Sequence, residues 1–563
     1  MSIKESNRYT KMLRERLISL LTEAAIRAQK EGKLPAVALP EITIEHPQNE
    51  EHGDYASNFP LKLARIARAN PMVIANELVA LLPDAEEIES AVAAPPGFIN
   101  FTLSNQWLNR QVDRIIGDGE SFGNNDIGQG KSVQVEFVSI NPTGPLHVGH
   151  GRGAILGSTL VNILSASGYK VEREYYFNDA GNQMDIFRRS LYARYLQSLG
   201  VEIEVPENGY QGNYMIDLAK EIITEHGNKF QKLTETEALA QLGDIGIGKV
   251  KDKIKKDLTQ LRVEFDVWFR EQSLYENGQY NKVMGLLRKG GYLAEKEGAT
   301  WFVSTNLGED KDNVVVRTNG APTYFATDIA YHYNKFIERH FDKVIDIWGA
   351  DHQGHVPRMK AVVAALGIDP ERLQIIIHQL VTLKRGGELV RVSKRTGDLI
   401  TLEEVMDEVG VDACRFFFLA RSASSQMDFD LELAKKQSQE NPVYYVQYAH
   451  ARIASIMRLV DEKKIDFADG DTGLLTTVPE LTLIRKLLNF PELIEMATIT
   501  LEPHHLAYYA QELANSFHAF YKECRVVTDD EALTKARLKL VMASKTVLAK
   551  TLHLMGMTAP ERM

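Results

Sequence analysis

Hydrophobic and polar positions alternate along this chain with two different periods, and the changeovers divide it into three parts. An amphipathic helix ends near Gly32, and PLKLARIARANPMVIANELVALLP (Pro60 to Pro83) repeats apolar residues at helical spacing, broken at Asn70-Pro71 into two short helices. A Pro95-Pro96-Gly97 turn then opens FINFTL, whose alternating apolar residues predict a strand. The polar run GDGESFGNNDIGQGKS from Gly117 reads as a linker. From Val133 to about Gly397, strand-like runs alternate with helical ones: VQVEFV, KVEREYYF, NVVVRT, KVIDIWG and LQIIIHQLV. That rhythm predicts a parallel, doubly wound sheet. A lysine-rich, mainly helical insertion interrupts it around residues 195–275. Beyond about Asp412 strand signals stop, and long amphipathic helices run to Met563. The expected fold is α/β and multidomain: a small α+β domain over 1–115, a Rossmann-like doubly wound domain over 116–411, and an all-α bundle over 412–563.

The bulk numbers narrow this only a little. At 563 residues, 44% hydrophobic and 25% charged, the chain is ordinary globular protein. A net charge of -11 argues against a non-specific nucleic-acid coat, without excluding RNA binding by a local basic surface. Two distant cysteines, Cys414 and Cys524, exclude a disulfide framework and a cysteine zinc ribbon, and fit a reducing cytosol. The N-terminus is charged and amphipathic, unlike a secretory signal, and no apolar run reaches the length of a membrane span. A soluble, cytoplasmic protein with no membrane association is expected.

The densest chemistry lies in NPTGPLHVGHGRG, residues 141–153, directly after VQVEFVSI. Proline and glycine force a turn there, and the following AILGSTLVNILSASG is helical. Strand, glycine-rich turn and helix present backbone N–H groups to a phosphate. Three readings compete. GQGKS, ending at Ser132, lacks the first P-loop glycine, because Asn125 stands there, and a strand rather than a helix follows it. GHGRGA fits a dinucleotide fingerprint, with Glu172 as its ribose acid, but about ten residues separate its first glycine from the strand. The third reading pairs His147 and His150 at a helix N-terminus, where imidazole donors suit charge on a transferring phosphate. Alone, that tetrapeptide also fits an ordinary turn. A second element raises its weight: RVSKRTG, Arg391 to Gly397, is a cationic loop after the last strand, suited to clamping triphosphate.

Together these elements resemble the class I aminoacyl-tRNA synthetases. HVGH matches their His-Ile-Gly-His signature, and RVSKR matches Lys-Met-Ser-Lys-Ser with Arg391 and Arg395 substituted and Lys394 kept. Further stretches narrow the resemblance to arginyl-tRNA synthetases over almost the whole chain: EFVSINPTGPLHVGH, YYFNDAGNQ, PTYFATDIAYH, WGADHQGH, ENPVYYVQYAHAR, SFHAFYKECRV and the terminal PERM. The resemblance implies a ligase that activates L-arginine with ATP and passes the arginyl group to the 3′ end of tRNA(Arg). It implies catalytic roles for His147, His150 and Lys394. The ATP site would hold His147, Gly149, His150, Asp351, Ser393 and Lys394, with magnesium travelling on the ATP and no metal held by the protein.

Recognition of arginine requires acids, because a guanidinium presents a planar fork of donors. Glu136 lies inside an apolar strand and needs a cation, either a structural Lys or Arg or the substrate; the family match favours the substrate. Tyr324 and Asp328 are one helical turn apart. The family match adds Asn141 for the α-amino group, and His352 beside the substrate. For tRNA, the expected contacts are Phe98 and Asn100 at the elbow, and Tyr448, Arg452, Tyr521 and Met563 near the anticodon. His450, Arg452 and Arg458 form one basic set, and Lys535, Arg537, Lys539, Lys545 and Lys550 another. The resemblance also implies a monomer.

Overall fold

The computed structural model describes residues 10–179, 181–391 and 399–563. Strand β1 (Tyr55–Ser57), β2 (Ile88–Ala94) and β3 (Phe98–Leu103) form an antiparallel sheet in the order β1-β3-β2. Ile99, Phe101 and Leu103 point into the core, so Phe98 and Asn100 lie on the opposite, half-buried face. Two short helices, Phe59–Ala67 and Pro71–Ala80, cover this sheet, and the helix Thr10–Lys30 packs on the second of them. Asn70 starts that second short helix by accepting a hydrogen bond from the Met72 N–H at 2.8 Å, with Pro71 at the first helical position.

The central sheet contains β4 (Ser132–Glu136), β5 (Lys170–Phe177), β6 (Val267–Arg270), β10 (Lys343–Gly349) and β11 (Leu373–His378). All pairings are parallel, in the order β11-β10-β4-β5-β6. The chain winds outward from β4 in one direction through β5 and β6, and in the other through β10 and β11. The switch between β4 and β10 opens a crevice at the carboxyl ends of these strands, the place where such sheets bind ligands.

Two expectations change. NVVVRT does not join the parallel sheet. Its core is β9 (Asn313–Val316), which pairs antiparallel with β8 (Ala299–Phe302), itself paired with β7 (Leu293–Lys296). Only about ten residues separate β8 from β9, enough for an antiparallel return but too few for a parallel crossover. The edge of the parallel sheet is instead β6, reached through the helix Glu235–Gln260 inside the expected insertion. Strand structure also continues past Asp412: β14 (Met427–Asp430) pairs parallel with β12 (Val381–Arg385), whose other neighbour is β13 (Glu388–Leu389).

Helices Pro442–Glu462, Val478–Thr500, His505–Glu523 and Glu531–Leu554 form the C-terminal bundle. Buried Arg415 ties it to the centre, donating to the carbonyls of Met555 (2.6 Å) and Leu261 (2.8 Å) and to Ser158 Oγ (2.8 Å). The N-terminal sheet also docks on the bundle. Glu492 accepts from Arg14 (2.5 Å), Tyr55 (2.7 Å) and His46 (2.9 Å), and Arg485 meets Asp54 at 2.6 Å. No helix among the described residues is long and apolar enough to cross a membrane.

Candidate active site

The turn after β4 is strained. Val138 and Ser139 hold φ of 70° and 40°, a region that non-glycine residues avoid and a β-branched valine especially so. Tyr175 holds the segment by exchanging hydrogen bonds with the Ile140 carbonyl (3.0 Å) and N–H (3.3 Å). Ser139 Oγ accepts from the Tyr176 N–H at 3.0 Å. The strand end is thus bent toward the crevice before Asn141, whose side-chain amide donates to Gln183.

His147 then caps the helix Val148–Ala166. Its Nδ1 accepts from the Gly149 N–H (3.1 Å), and His150 Nδ1 accepts from the His147 N–H (3.2 Å), a reciprocal cap built from two imidazoles. Because each Nδ1 accepts, a neutral ring carries its proton on Nε2, and the pair offers two Nε2–H donors. The rings stack 3.4 Å apart. Burial lowers the pKa of His147, and burial with His147 and His378 nearby pushes His150 down to about 3. The pair is neutral at physiological pH.

The glycines in GHGRGA have packing reasons. A Cβ at Gly149 would lie 3.0 Å from the His147 ring, and one at Gly153 would lie 3.0 Å from His378 Nε2. The ribose acid of the dinucleotide reading is also occupied, since Glu172 on β5 binds the Arg339 guanidinium. His378, at the end of β11, is a neighbour of the pair that sequence reasoning missed. Burial, then Arg152, depresses it to about 4.

Ser393 and Lys394 lie outside the described residues. Their flanks are described: exposed Arg391 follows β13, and Thr401 forms an antiparallel bridge with His147 while the Leu402 N–H donates to the Leu146 carbonyl at 2.8 Å. The chain after the second signature is therefore stitched to the first. Thr401 also caps the helix Leu402–Val409 in a reciprocal cap with Glu404.

Acids converge on the other side of the crevice. The helix Tyr324–Tyr333 feeds β10, so its first turns lie at the carboxyl edge of the sheet. Tyr324 is exposed there, with half-buried Asp328 one turn on. Burial raises the Asp328 carboxyl to about 7 against the nearby His332 charge, with Glu136 adding to the rise. Glu271, just past β6, is also raised to about 7, first by burial and then by the charges of Asp328 and Asp179, against the hydroxyls of Tyr176 and Thr327. Glu271 was missed because its strand was read as part of the insertion. Glu136 has a protein partner: Lys335 donates to it at 2.5 Å and to Asp346 at 2.8 Å, fully buried. Lys335, then His332, hold Asp346 down at about 2 against its burial. Asp351 and His352 follow β10 in a short exposed 3-10 turn, 3.3 Å apart.

In the bundle, three expected residues meet. The Arg452 guanidinium lies 4.6 Å from the Tyr448 ring and 4.7 Å from the Tyr521 ring, and donates to the Tyr448 hydroxyl at 2.7 Å. Met563 is exposed. The second basic set is engaged within the protein: Lys535 with Asp469 (3.1 Å), Arg537 with Glu480 (2.7 Å), Lys539 with Asp113 (2.7 Å), Lys545 with Glu561 (2.8 Å) and Lys550 with Asn124 (2.9 Å). His450 and Arg458 likewise hold carbonyls of the chain end, at Pro560 and Glu561.

Comparison with known proteins agrees along the whole length. Residues 11–103 match the arginyl tRNA synthetase N terminal domain, 111–423 the catalytic domain of the tRNA synthetases class I (R), and 446–563 the DALR anticodon binding domain. The chain is 59% identical to an arginine–tRNA ligase of Dehalococcoides mccartyi over 97% of its own length and 98% of that protein's. It is 51% identical to that of Carboxydothermus hydrogenoformans, over 96% and 97%. The Thermus thermophilus arginyl-tRNA synthetase structure shares the fold with a TM-score of 0.78 at 24% identity, covering 98% of this chain and all of that one. With the paired histidines, the converging acids and all three domain matches, the chain belongs to the arginyl-tRNA synthetase family.

Proposed function

We propose that the chain is an arginine–tRNA ligase, activating L-arginine with ATP and transferring it to the 3′ end of tRNA(Arg). The observation that carries this reading is the pairing of neutral histidine donors with two acids raised to about 7, Asp328 and Glu271, at one sheet edge. An arginine carboxylate oxygen attacks the α-phosphorus of ATP, the bond to the bridging oxygen breaks, and pyrophosphate leaves. A ribose hydroxyl of the terminal adenosine then attacks the acyl carbon and releases AMP. Positioning and charge stabilisation supply most of the acceleration in such steps.

His147 and His150 donate from Nε2 to the phosphates, with Gly149 and Asp351 beside the nucleotide. Lys394, with Ser393, meets the departing pyrophosphate. Magnesium enters as part of the ATP substrate. Asp328, Glu271 and Tyr324 take the guanidinium. Glu136, already bound to Lys335, supports the pocket floor rather than meeting the guanidinium alone. Asn141 holds the α-amino group, and His352 closes the side near β10. Residues 116–411 form the catalytic domain, 412–563 bind the anticodon through Tyr448, Arg452, Tyr521 and Met563, and 1–115 meet the tRNA elbow through Phe98 and Asn100. The protein acts as a cytoplasmic monomer.

The test is amino-acid-dependent ATP–pyrophosphate exchange across the twenty amino acids, with and without tRNA. Exchange with arginine alone, appearing when tRNA is added, is the expected result. Exchange with another amino acid would sink the acid pocket, and tRNA binding without any exchange would mean a non-catalytic relative.

A further inference from the structure

We propose that Glu502, His504 and His505 form a site for one borderline divalent cation of the zinc or nickel class, in the turn joining the helices Val478–Thr500 and His505–Glu523. Leu501 ends the first helix in the left-handed conformation, φ 58°, and Pro503 follows, so the chain reverses within four residues. One ligand atom from each of the three residues then lies within 4.8 Å of the other two. His505 Nε2 and Glu502 Oε2 are 3.3 Å apart. Two ligands on a tetrahedral ion with bonds of about 2.0–2.1 Å are separated by about 3.3–3.4 Å, so this edge needs almost no adjustment.

His504 has donor capacity to spare. It is 7% exposed, yet among the described residues its ring nitrogens make no hydrogen bond. Its ring lies 4.1 Å from that of His505, and the Tyr508 ring meets it edge-on at 5.7 Å. Two imidazoles and one carboxylate select zinc, nickel or copper over magnesium and calcium, and leave a fourth position for water. The N-terminus of the second helix disfavours a cation. The carbonyl end of the first helix and the Glu502 charge, both in the same turn, offset this. No cysteine marks the site, and its ligands are nearly adjacent in sequence, which is why the motif reading found no metal cage.

The experiment is calorimetric titration of the full-length protein with zinc chloride, and separately nickel chloride, for the wild type, Glu502→Gln, His505→Asn and the double variant. Glu502 is exposed and His505 partly so, and neither substitution disturbs the core. One ion per chain, with affinity lowered at least about ten-fold in each single variant and lost in the double variant, is expected. X-ray absorption of the loaded protein should show two nitrogen ligands from imidazole. Equal stoichiometry and affinity in the double variant would place the ion elsewhere and overturn the proposal, as would no binding by the wild type.

Discussion

The charge of Asp328 raises the pKa of Glu271, and both acids stand at about 7, Asp328 through burial that outweighs the His332 and Lys335 charges near it. They come from different elements, a helix and a strand end, and meet where the sheet opens. Two acids held this far above the ordinary carboxylate range form a vacancy of positive charge. A bound guanidinium fills it.

Arginine binding should therefore release protons near pH 7. The raised acids are partly protonated in the free protein, and a guanidinium favours their ionised forms. Arginine affinity should rise with pH through about 6 to 8, and calorimetry in buffers of different ionisation enthalpy should detect the released proton. Buffer-independent binding heat would contradict this assignment.

The sign for stability is opposite. Because both folded pKa values lie above the unfolded ones, the free protein should lose stability as pH rises from about 4 to 7, and the loss should level off above that. Asp328→Asn should remove part of this slope. It should also raise the arginine KM at least about 100-fold while changing the ATP KM little. Equal effects on both substrates would remove Asp328 from the guanidinium site.

His150→Ala should slow adenylate formation by about 10²–10³-fold, the scale of losing one transition-state donor, and leave tRNA binding unchanged. Since burial already holds His150 neutral, with a pKa of about 3, it should contribute no limb to the pH–rate profile between pH 5 and 8. Weakened tRNA binding in this variant would argue against the role.

Arg452→Ala should raise the tRNA KM about ten-fold or more, because the guanidinium lies against both Tyr448 and Tyr521 and a stacked base is worth about 1–3 kcal/mol. Rates at saturating tRNA should be nearly unchanged. A fall in kcat with unaltered KM would assign Arg452 to folding of the bundle instead.

Arg415→Ala should destabilise the protein by about 3–5 kcal/mol, since it strands the carbonyls of Met555 and Leu261 in the interior. Gly556→Ala should act on the same joint, because a Cβ there would lie 2.3 Å from the Arg415 guanidinium at a φ of 68°. Thermal unfolding of both variants measures this.

The sequence was most legible where local rules act alone. The helix capped by His147 follows from a proline–glycine turn before a periodic apolar run, and the three-part division follows from the change of period. What escaped depended on distant pairing. VWFR is a four-residue strand with no pattern of its own, and its place at the edge comes only from β5 beside it. Glu271 was lost with it. Lys335 could not be matched to Glu136 from spacing, because 199 residues separate them. The lysines of the last helix stand out in the sequence as a basic set, whereas carboxylates elsewhere in the chain already pair with several of them.

The Glu492 carboxylate carries a mechanical consequence. It receives Arg14, His46 and Tyr55 from the N-terminal domain while belonging to the C-terminal bundle. The two flanking domains are therefore joined to each other as well as to the centre, and the chain closes into a ring. A displacement of one flank has a route to the other that bypasses the catalytic sheet. Removing that carboxylate would loosen the frame while the Arg485–Asp54 pair still spans the two flanks.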